Sequence, residues 1–279
     1  MPLAYIPSPA HAVWRLGPVP VRLQALFAVA GIVVALVIAE RRYRAAGGRP
    51  GAVLDIAAWA VPAGLIPAAL GAALAPVHGT PWQQVRTWDE ALGYPGAAAL
   101  ATLAAWVACH ADRRRIRLAP LAGAVAPAMA FGHAVADLGG WAAQEGYGHP
   151  SSLWWAVQIS PAHRLSGYEN FATFQPMFMY EALWDVATGV AVIWATRRFT
   201  LNGDSAFALQ AAAYAAGGFA LFWLGIGHLP LVLGIRAGEL GDAIVLVGSV
   251  TYLARSWRRR SSRFQVSRKL PLERDTPVM

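Results

Sequence analysis

The sequence predicts an all-α integral membrane protein, seven transmembrane helices with an extracytoplasmic head segment, and three observations carry that expectation. Of the 279 residues 57% are hydrophobic and only 14% are charged, well above the apolar share of an ordinary soluble domain. The apolar residues come in blocks of roughly 17 to 25, the length of a helix that crosses a bilayer. The arginines gather in alternate connections between those blocks, the pattern that positive-inside bias produces. A soluble enzyme is excluded on these grounds.

Seven blocks read as spans: Leu23 to Ala39, Ile56 to Ala75, Ala91 to Cys109, Leu118 to Ala136, Met177 to Ala195, Ala206 to His228 and the shorter Leu240 to Ala254. They are rich in Ala, Gly, Val and Leu, and small residues let helix backbones approach closely where lipid supplies no hydrophobic drive. Pro62 and Pro67 are expected to kink the second. The N-terminal stretch lacks a basic start and carries Pro2, Pro7, Pro9, Pro18 and Pro20 before any apolar run, so it is not read as a cleavable signal peptide.

Orientation follows from the cations. Eighteen of the 23 Lys and Arg fall on one side, in the connections at Arg41 to Arg49, Arg113 to Arg117 and Arg197 to Arg198 and in the tail from Arg255. Five, Arg15, Arg22, Arg86, Arg164 and Arg236, fall on the other. The N-terminus is therefore expected outside and the C-terminus in the cytoplasm of a multi-pass plasma-membrane protein. Residues 1–255 form the membrane domain, with an outward head segment at 137–176, and 256–279 form a basic, disordered tail. The net charge of +8 needs no nucleic acid, because the cations flank spans and are not interleaved with base-stacking aromatics.

The connection from Asp137 to Phe174 is far longer than a simple helix connection. Its Trp141, Tyr147, Trp154, Trp155, Tyr168, Phe171 and Phe174 read either as an ordered head or as an aromatic belt at the interface. A single cysteine, Cys109, excludes an internal disulfide and a cysteine-type zinc site. The His and acid spacings supply no metal centre, and Gly47-Gly48 and Gly217-Gly218 lack the context of a phosphate loop. No metal or other cofactor is expected.

Ionisable residues at membrane depth default to a functional reading with a named partner. His133 and Asp137 lie four apart and share a helix face, either as an acid–base pair or as a satisfied buried pair. Glu181 and Asp185 repeat that spacing, and two carboxylates so placed can share a proton or bind a cation, or each can pair with a neighbouring helix. Glu145 follows where the chain leaves the membrane. Glu239 and Asp242 open the last span, where acids meet the positive end of the helix dipole.

Several strings resemble prolipoprotein diacylglyceryl transferases, particularly the actinobacterial form. Ile6-Pro7-Ser8-Pro9 with Trp14-Arg15-Leu16-Gly17-Pro18 is similar to that family's start, as are Gly47-Gly48-Arg49-Pro50-Gly51 and Ile116-Arg117-Leu118 with Pro120. The most specific stretch runs from Gln144-Glu145 through Pro161-Ala162-His163-Arg164 and Gly167-Tyr168-Glu169 to Pro176-x-Phe178-x-Tyr180-Glu181-x-Leu183-Trp184-Asp185. The resemblance covers residues 5 to 250. It implies transfer of a diacylglyceryl group from phosphatidylglycerol to the thiol of the lipobox cysteine of a lipoprotein precursor, with release of glycerol phosphate.

The family's signature Gly-Arg-x-Gly-Asn-x-x-Asn-x-Glu corresponds to Ala136-Asp137-Leu138-Gly139-Gly140-Trp141-Ala142-Ala143-Gln144-Glu145, so the family arginine is Asp137. The histidine before Pro176 is Gln175, and Gly-Arg-Phe in the sixth span is Gly217-Gly218-Phe219. Pro67-Ala68-Ala69-Leu70 stands for Gly-Gly-Arg-Leu, Gln24 for a tyrosine, Asp89-Glu90-Ala91-Leu92-Gly93 for a Gly-Gly-Leu-Gly stretch and Pro95 for a histidine. His149-Pro150-Ser151 does not stand ahead of the fifth span and does not replace the lost histidine motif.

A working transferase would then have a rearranged site with Glu145 and His133 as catalytic residues, His133 replacing the missing base and Glu145 assisting the polar network. Asp137, Gly140, Tyr180, Glu181 and Arg236 line the substrate site, with Arg236 or Arg164 meeting the phosphate. Phosphatidylglycerol, the lipobox segment and membrane lipids are the partners. The alternative is an inactive paralogue that binds lipid or lipoprotein precursors. A proton-coupled transporter using His133, Asp137, Glu181 and Asp185 is disfavoured, because no inverted repeat is visible.

Overall fold

A computed structural model describes residues 5–9, 12–16, 19–74, 103–105, 107–109, 116–226, 231–232 and 235–269. Among the described residues there are six long helices: α1 (Leu23–Ala45), α2 (Ala52–Leu74), α3 (Leu118–Ala143), α4 (Met177–Arg198), α5 (Gly203–Phe222) and α6 (Ala237–Lys269). Among the described residues, α1, α3 and α4 are long and apolar enough to cross a membrane, and Ala52–Ile66 is a shorter apolar stretch. Most of the expected span from Ala91 to Cys109 lies outside the described residues; 103–105 and 107–109 are helical.

α3 is the centre of the bundle and packs against α1, α4 and α5. Its contact with α1 is made of small residues. A Cβ on Gly132 would stand 2.8 Å from both the Ala35 Cβ and the Gly31 carbonyl, and one on Gly31 would stand 3.2 Å from the Ala136 Cβ. Farther along, Gly139 leaves room for Gln24. On the other side Gly189 of α4 accepts the ring of Phe131, and Gly203 at the start of α5 lies against Ala119 and Gly123 of α3. Pro127 sits inside α3 and cannot donate to the Gly123 carbonyl one turn earlier; it is buried between helices, where a membrane protein tolerates such a break.

Two boundaries that bear on the site differ from the sequence reading. α3 does not stop at Ala136 but continues to Ala143, so Asp137 and Gly140 lie on the helix and not in the connection. Gly139-Gly140 does not break it, because both glycines serve close packing, the second against Phe178 and the Glu145 carbonyl. The stop is Gln144, in the left-handed conformation at φ 56°, with its N–H returned to the last turn. The expected last span ends at Ala254, whereas α6 runs on to Lys269. Ser256 meets Ser205 in the first turn of α5 at 3.1 Å, so the basic segment expected to be disordered is helical over its described part and projects roughly 20 Å past that contact.

The segment 144–176 is a small ordered unit. β3 (Val157–Gln158) pairs antiparallel with β4 (Thr173–Phe174), and Ile6 adds a parallel bridge to Val157. The N-terminal stretch is tied down further by the Trp141 indole donating to the Pro7 carbonyl at 3.0 Å and by the Ser8 hydroxyl donating to the Gln158 carbonyl. Tyr147, Val157, Ile159, Phe174 and Phe178 form its core. Trp154 is 75% exposed, so the aromatics divide between an apolar core and an outward surface. β1 (Val13–Leu16) and β2 (Val19–Arg22) form a hairpin leading into α1, and β5 (Leu231–Val232) and β6 (Ile235–Arg236) form another leading into α6.

Gly132→Leu forces α1 and α3 apart and is expected to cost about 1 to 3 kcal/mol. Gly248 has nothing within 4 Å of its Cβ direction, so Gly248→Ala should be neutral or stabilising. Thermal unfolding of the purified protein in detergent separates the two: a lower midpoint for the first and an unchanged or higher one for the second.

Candidate active site

A layer of polar side chains crosses the bundle on the head side. His133 and Asp137 come from α3, Glu181 and Asp185 from α4, Tyr214 from α5 and Asp242 from α6. From the helical rise they lie roughly 6 to 15 Å below the helix ends that carry the head. The helix period places them together: on α3, residues 132, 136 and 139 face α1, and the stripe 133, 137 and 140 is turned one residue further round.

The spacing within α3 suggested a His133–Asp137 pair, but the structure joins His133 to α4. Its Nδ1 lies 3.8 Å from Asp185 Oδ2, an ion-pair approach longer than a hydrogen bond. The imidazole also stands edge-on to the Tyr214 ring, with centroids 5.4 Å apart. Asp185 is 5% exposed, whereas the His133 side chain is 44% exposed and so faces open space. Asp137 stands within electrostatic reach of Asp185 and Glu181, and its Oδ2 is buried without a hydrogen-bond partner.

Asp242 belongs to this layer and is not an end-of-helix acid. α6 begins at Ala237, which puts Asp242 beyond the first turn, and its carboxylate fills the space that a side chain on Gly218 would need. The neighbouring Gly217 makes the same room for the Trp184 indole, which donates to the Ala213 carbonyl at 3.0 Å. One turn below Asp185, Thr188 accepts from the Gln210 amide at 3.5 Å. Sequence reasoning missed Tyr214 and Gln210. Their spacing of four on an apolar helix, one shared face, was the available signal.

Tyr180 is held by the head: its hydroxyl accepts from the Trp155 indole at 2.8 Å. Gly140 packs on Phe178, one turn before Glu181 and Ala182 on α4. Glu145 is exposed at the membrane end of the head, roughly 15 Å along the α3 axis from His133 by helical rise. The Arg164 guanidinium is committed to the head, donating to the carbonyls of Ile159 at 3.1 Å and Glu169 at 2.8 Å. Arg236 ends β6, and its side chain lies outside the described residues, as do Arg86, Asp89, Glu90 and Pro95. Among the described residues, no group of three or more His, Cys, Asp or Glu is placed to hold a metal ion.

The head is fastened to the helices by polar links as well as its core. Gln144 Oε1 accepts from the Ser160 N–H at 2.8 Å, and the His149 N–H donates to the Leu224 carbonyl at 3.0 Å beyond the end of α5. Tyr147 donates to the His163 carbonyl at 2.8 Å and accepts from the Leu165 N–H at 2.7 Å. Burial pushes its phenol above the ordinary value of 10.0.

A raised folded value means that Tyr147 contributes stability that is full below pH 10 and fades as pH rises through the folded value. Protection factors in 157–174, that is exchange corrected for its intrinsic dependence on hydroxide, should therefore fall at alkaline pH in the native protein. Tyr147→Phe should be looser at neutral pH by about 1 kcal/mol and lose that alkaline response.

Residues 11–253 match the family described as prolipoprotein diacylglyceryl transferase. A phosphatidylglycerol–prolipoprotein diacylglyceryl transferase 2 of Streptomyces coelicolor is 37% identical over 96% of this chain and 86% of its own length. Transferases so named from Rhodococcus jostii, 39% identical over 90% of this chain and 74% of their own, and Frankia alni, 40% identical over 91% and 68%, are similarly related. With the match spanning nearly all of its helices, the chain belongs to the prolipoprotein diacylglyceryl transferase family.

Proposed function

We propose that this chain is a membrane transferase that moves a diacylglyceryl group from phosphatidylglycerol to the thiol of a lipobox cysteine. Kinship along nearly the whole chain supports the reaction class. The observation that carries the mechanism is the approach of His133 to Asp185 at 3.8 Å on the head side of the bundle. In this reading His133 takes the thiol proton and buried Asp185 orients the ring and balances the imidazolium. The sulfur attacks the glycerol carbon that carries the phosphate, an S–C bond forms, the C–O bond breaks, and its electron pair leaves with glycerol phosphate. Glycerol phosphate leaves as the dianion, and the imidazolium gives its proton up to water.

Arg236, at the start of α6, is assigned to the departing phosphate in place of the two arginines replaced by Asp137 and Gly218. Asp137, Gly140, Tyr180 and Glu181 line the cleft, and Glu145 stands at its mouth, where it meets the precursor and not the thiol. The chain is read as seven spans with the head outside, the N-terminus outside and the basic end of α6 in the cytoplasm, from the distribution of arginines.

A second reading, an inactive paralogue that retains lipid or precursor, is favoured by one feature: the acids Asp137, Glu181, Asp185 and Asp242 stand where a phosphate would have to lie. Unit like charges about 4 Å apart repel by roughly 4 kcal/mol at an effective dielectric near 20.

Purified protein given phosphatidylglycerol and a lipobox peptide should add a diacylglyceryl mass to the peptide and release glycerol phosphate. His133→Ala is expected to slow this by about 10²- to 10⁴-fold, and Asp185→Asn should reduce turnover with less effect on lipid binding. No turnover by the native chain, with lipid retained, would establish the inactive reading instead.

A further inference from the structure

The end of α4 away from the head carries a second feature, about 18 Å along the helix from Asp185 and separate from the chemistry above. Val190, Ile193, Trp194, Arg197 and Arg198 line an open groove of about 520 Å³, within the range of small-ligand sites. Their spacing of three and four puts them in one stripe, apolar toward the middle of the helix and cationic at its end. Val190 and Trp194 are exposed. Trp194 stands edge-on to Phe199 with centroids 5.7 Å apart, and the Arg198 guanidinium lies over the same ring at 5.7 Å, so the groove's end has a fixed aromatic frame.

Among the described residues, the arginines of this groove have no acidic partner. Arg197 acts electrostatically on Arg42 of α1, and the Arg42 Nε is buried without a hydrogen-bond partner. Two acids of this end are used elsewhere: both Glu40 oxygens accept from the N–H groups of Gly51 and Val53 at the start of α2, and Asp55 pairs with Arg49 at 2.5 Å. Among the described residues, none of Arg42, Arg197 and Arg198 has an acidic partner within 4.0 Å. An apolar stripe ending in unpaired guanidiniums at a membrane boundary matches one chemistry, acyl chain below and phosphate above.

We propose that this groove holds an anionic phospholipid of the leaflet opposite the head, its phosphate on Arg197 and Arg198 and an acyl chain along Val190, Ile193 and Trp194. Guanidinium and phosphate meet in charge-assisted, bidentate geometry, and a zwitterionic lipid offers the same chain without net charge. The site is structural or regulatory, since it lies at the far end of α4 from the His133 layer.

The test uses the full chain in nanodiscs containing phosphatidylglycerol with a photoreactive acyl chain, and peptide mass spectrometry to locate the adducts. Labelling is expected within residues 190–199. In the double variant Arg197→Gln with Arg198→Gln, the anionic lipid fraction for half-maximal labelling should rise roughly thirtyfold, from the attraction of two surface arginines. Arg197→Lys with Arg198→Lys should retain most of the labelling, which separates charge from misfolding. Equal labelling of this segment by photoreactive phosphatidylcholine, labelling unchanged in the glutamine variant, or adducts found only elsewhere would each overturn the proposal.

Discussion

The close approach of α1 to α3 is the contact on which the remaining architecture depends. In lipid there is no hydrophobic gain from bringing two apolar helices together, so association relies on packing. Gly31, Ala35, Gly132 and Ala136 supply it by letting backbone meet backbone. The crossing fixes the rotation of α3 about its own axis. Once Gly132 and Ala136 face α1, the residues one step later, His133 and Asp137, are turned toward α4 and α5 with no further instruction. The polar layer is thus a geometric consequence of a stripe of small residues.

Much of this was legible in the sequence, because bilayer thickness and backbone hydrogen bonding restrict the possibilities severely. The start of α4 at Met177 follows from Pro176 and the apolar run after it, and the structure begins the helix there. Local rules failed where a residue's meaning came from another helix. Gly139 and Gly140 fell beyond the expected end of their span, yet each answers a neighbour, Gln24 in one case and Phe178 in the other. His133 and Asp137 had the spacing of a pair, but spacing of four places two residues on a face without making them touch, and the imidazole found Asp185 across the interface. Asp242 had a sufficient local explanation in the helix dipole and was misread for that reason. Its true neighbour, Gly218, is 24 positions earlier and carries no side chain to advertise the contact.

The head shows how an exposed segment can be made rigid enough to belong to a site. Its core is small, so polar bonds with definite partners carry much of the ordering: Tyr147 joins two carbonyl and amide groups that follow it by 16 and 18 positions, and Gln144 turns the chain while bonding Ser160. The bond from the Trp155 indole to Tyr180 couples this unit to the first turn of α4. A shift of the head therefore reaches Tyr180 directly and Glu181 through the helix. This coupling gives the head a role in shaping the cleft that the exposure of Glu145 alone does not.

Charge in the bundle is segregated along its long axis. Acids occupy the layer near the head, and guanidiniums crowd the opposite ends of α1 and α4. An ionised group within a membrane needs a partner or water, and among the described residues His133 is the one basic side chain paired with an acid of this layer. A lipid phosphate approaching this layer from the head side thus meets carboxylates. If the transferase reaction runs here, the phosphate must remain at the mouth of the cleft, near Arg236 at the foot of the hairpin β5–β6, while only the thiol reaches toward the imidazole. That arrangement puts the base and the leaving group on opposite sides of the one carbon under attack, as a displacement requires. Asp185, beside the imidazole, then balances the imidazolium, and an acid at position 137 need not touch the phosphate.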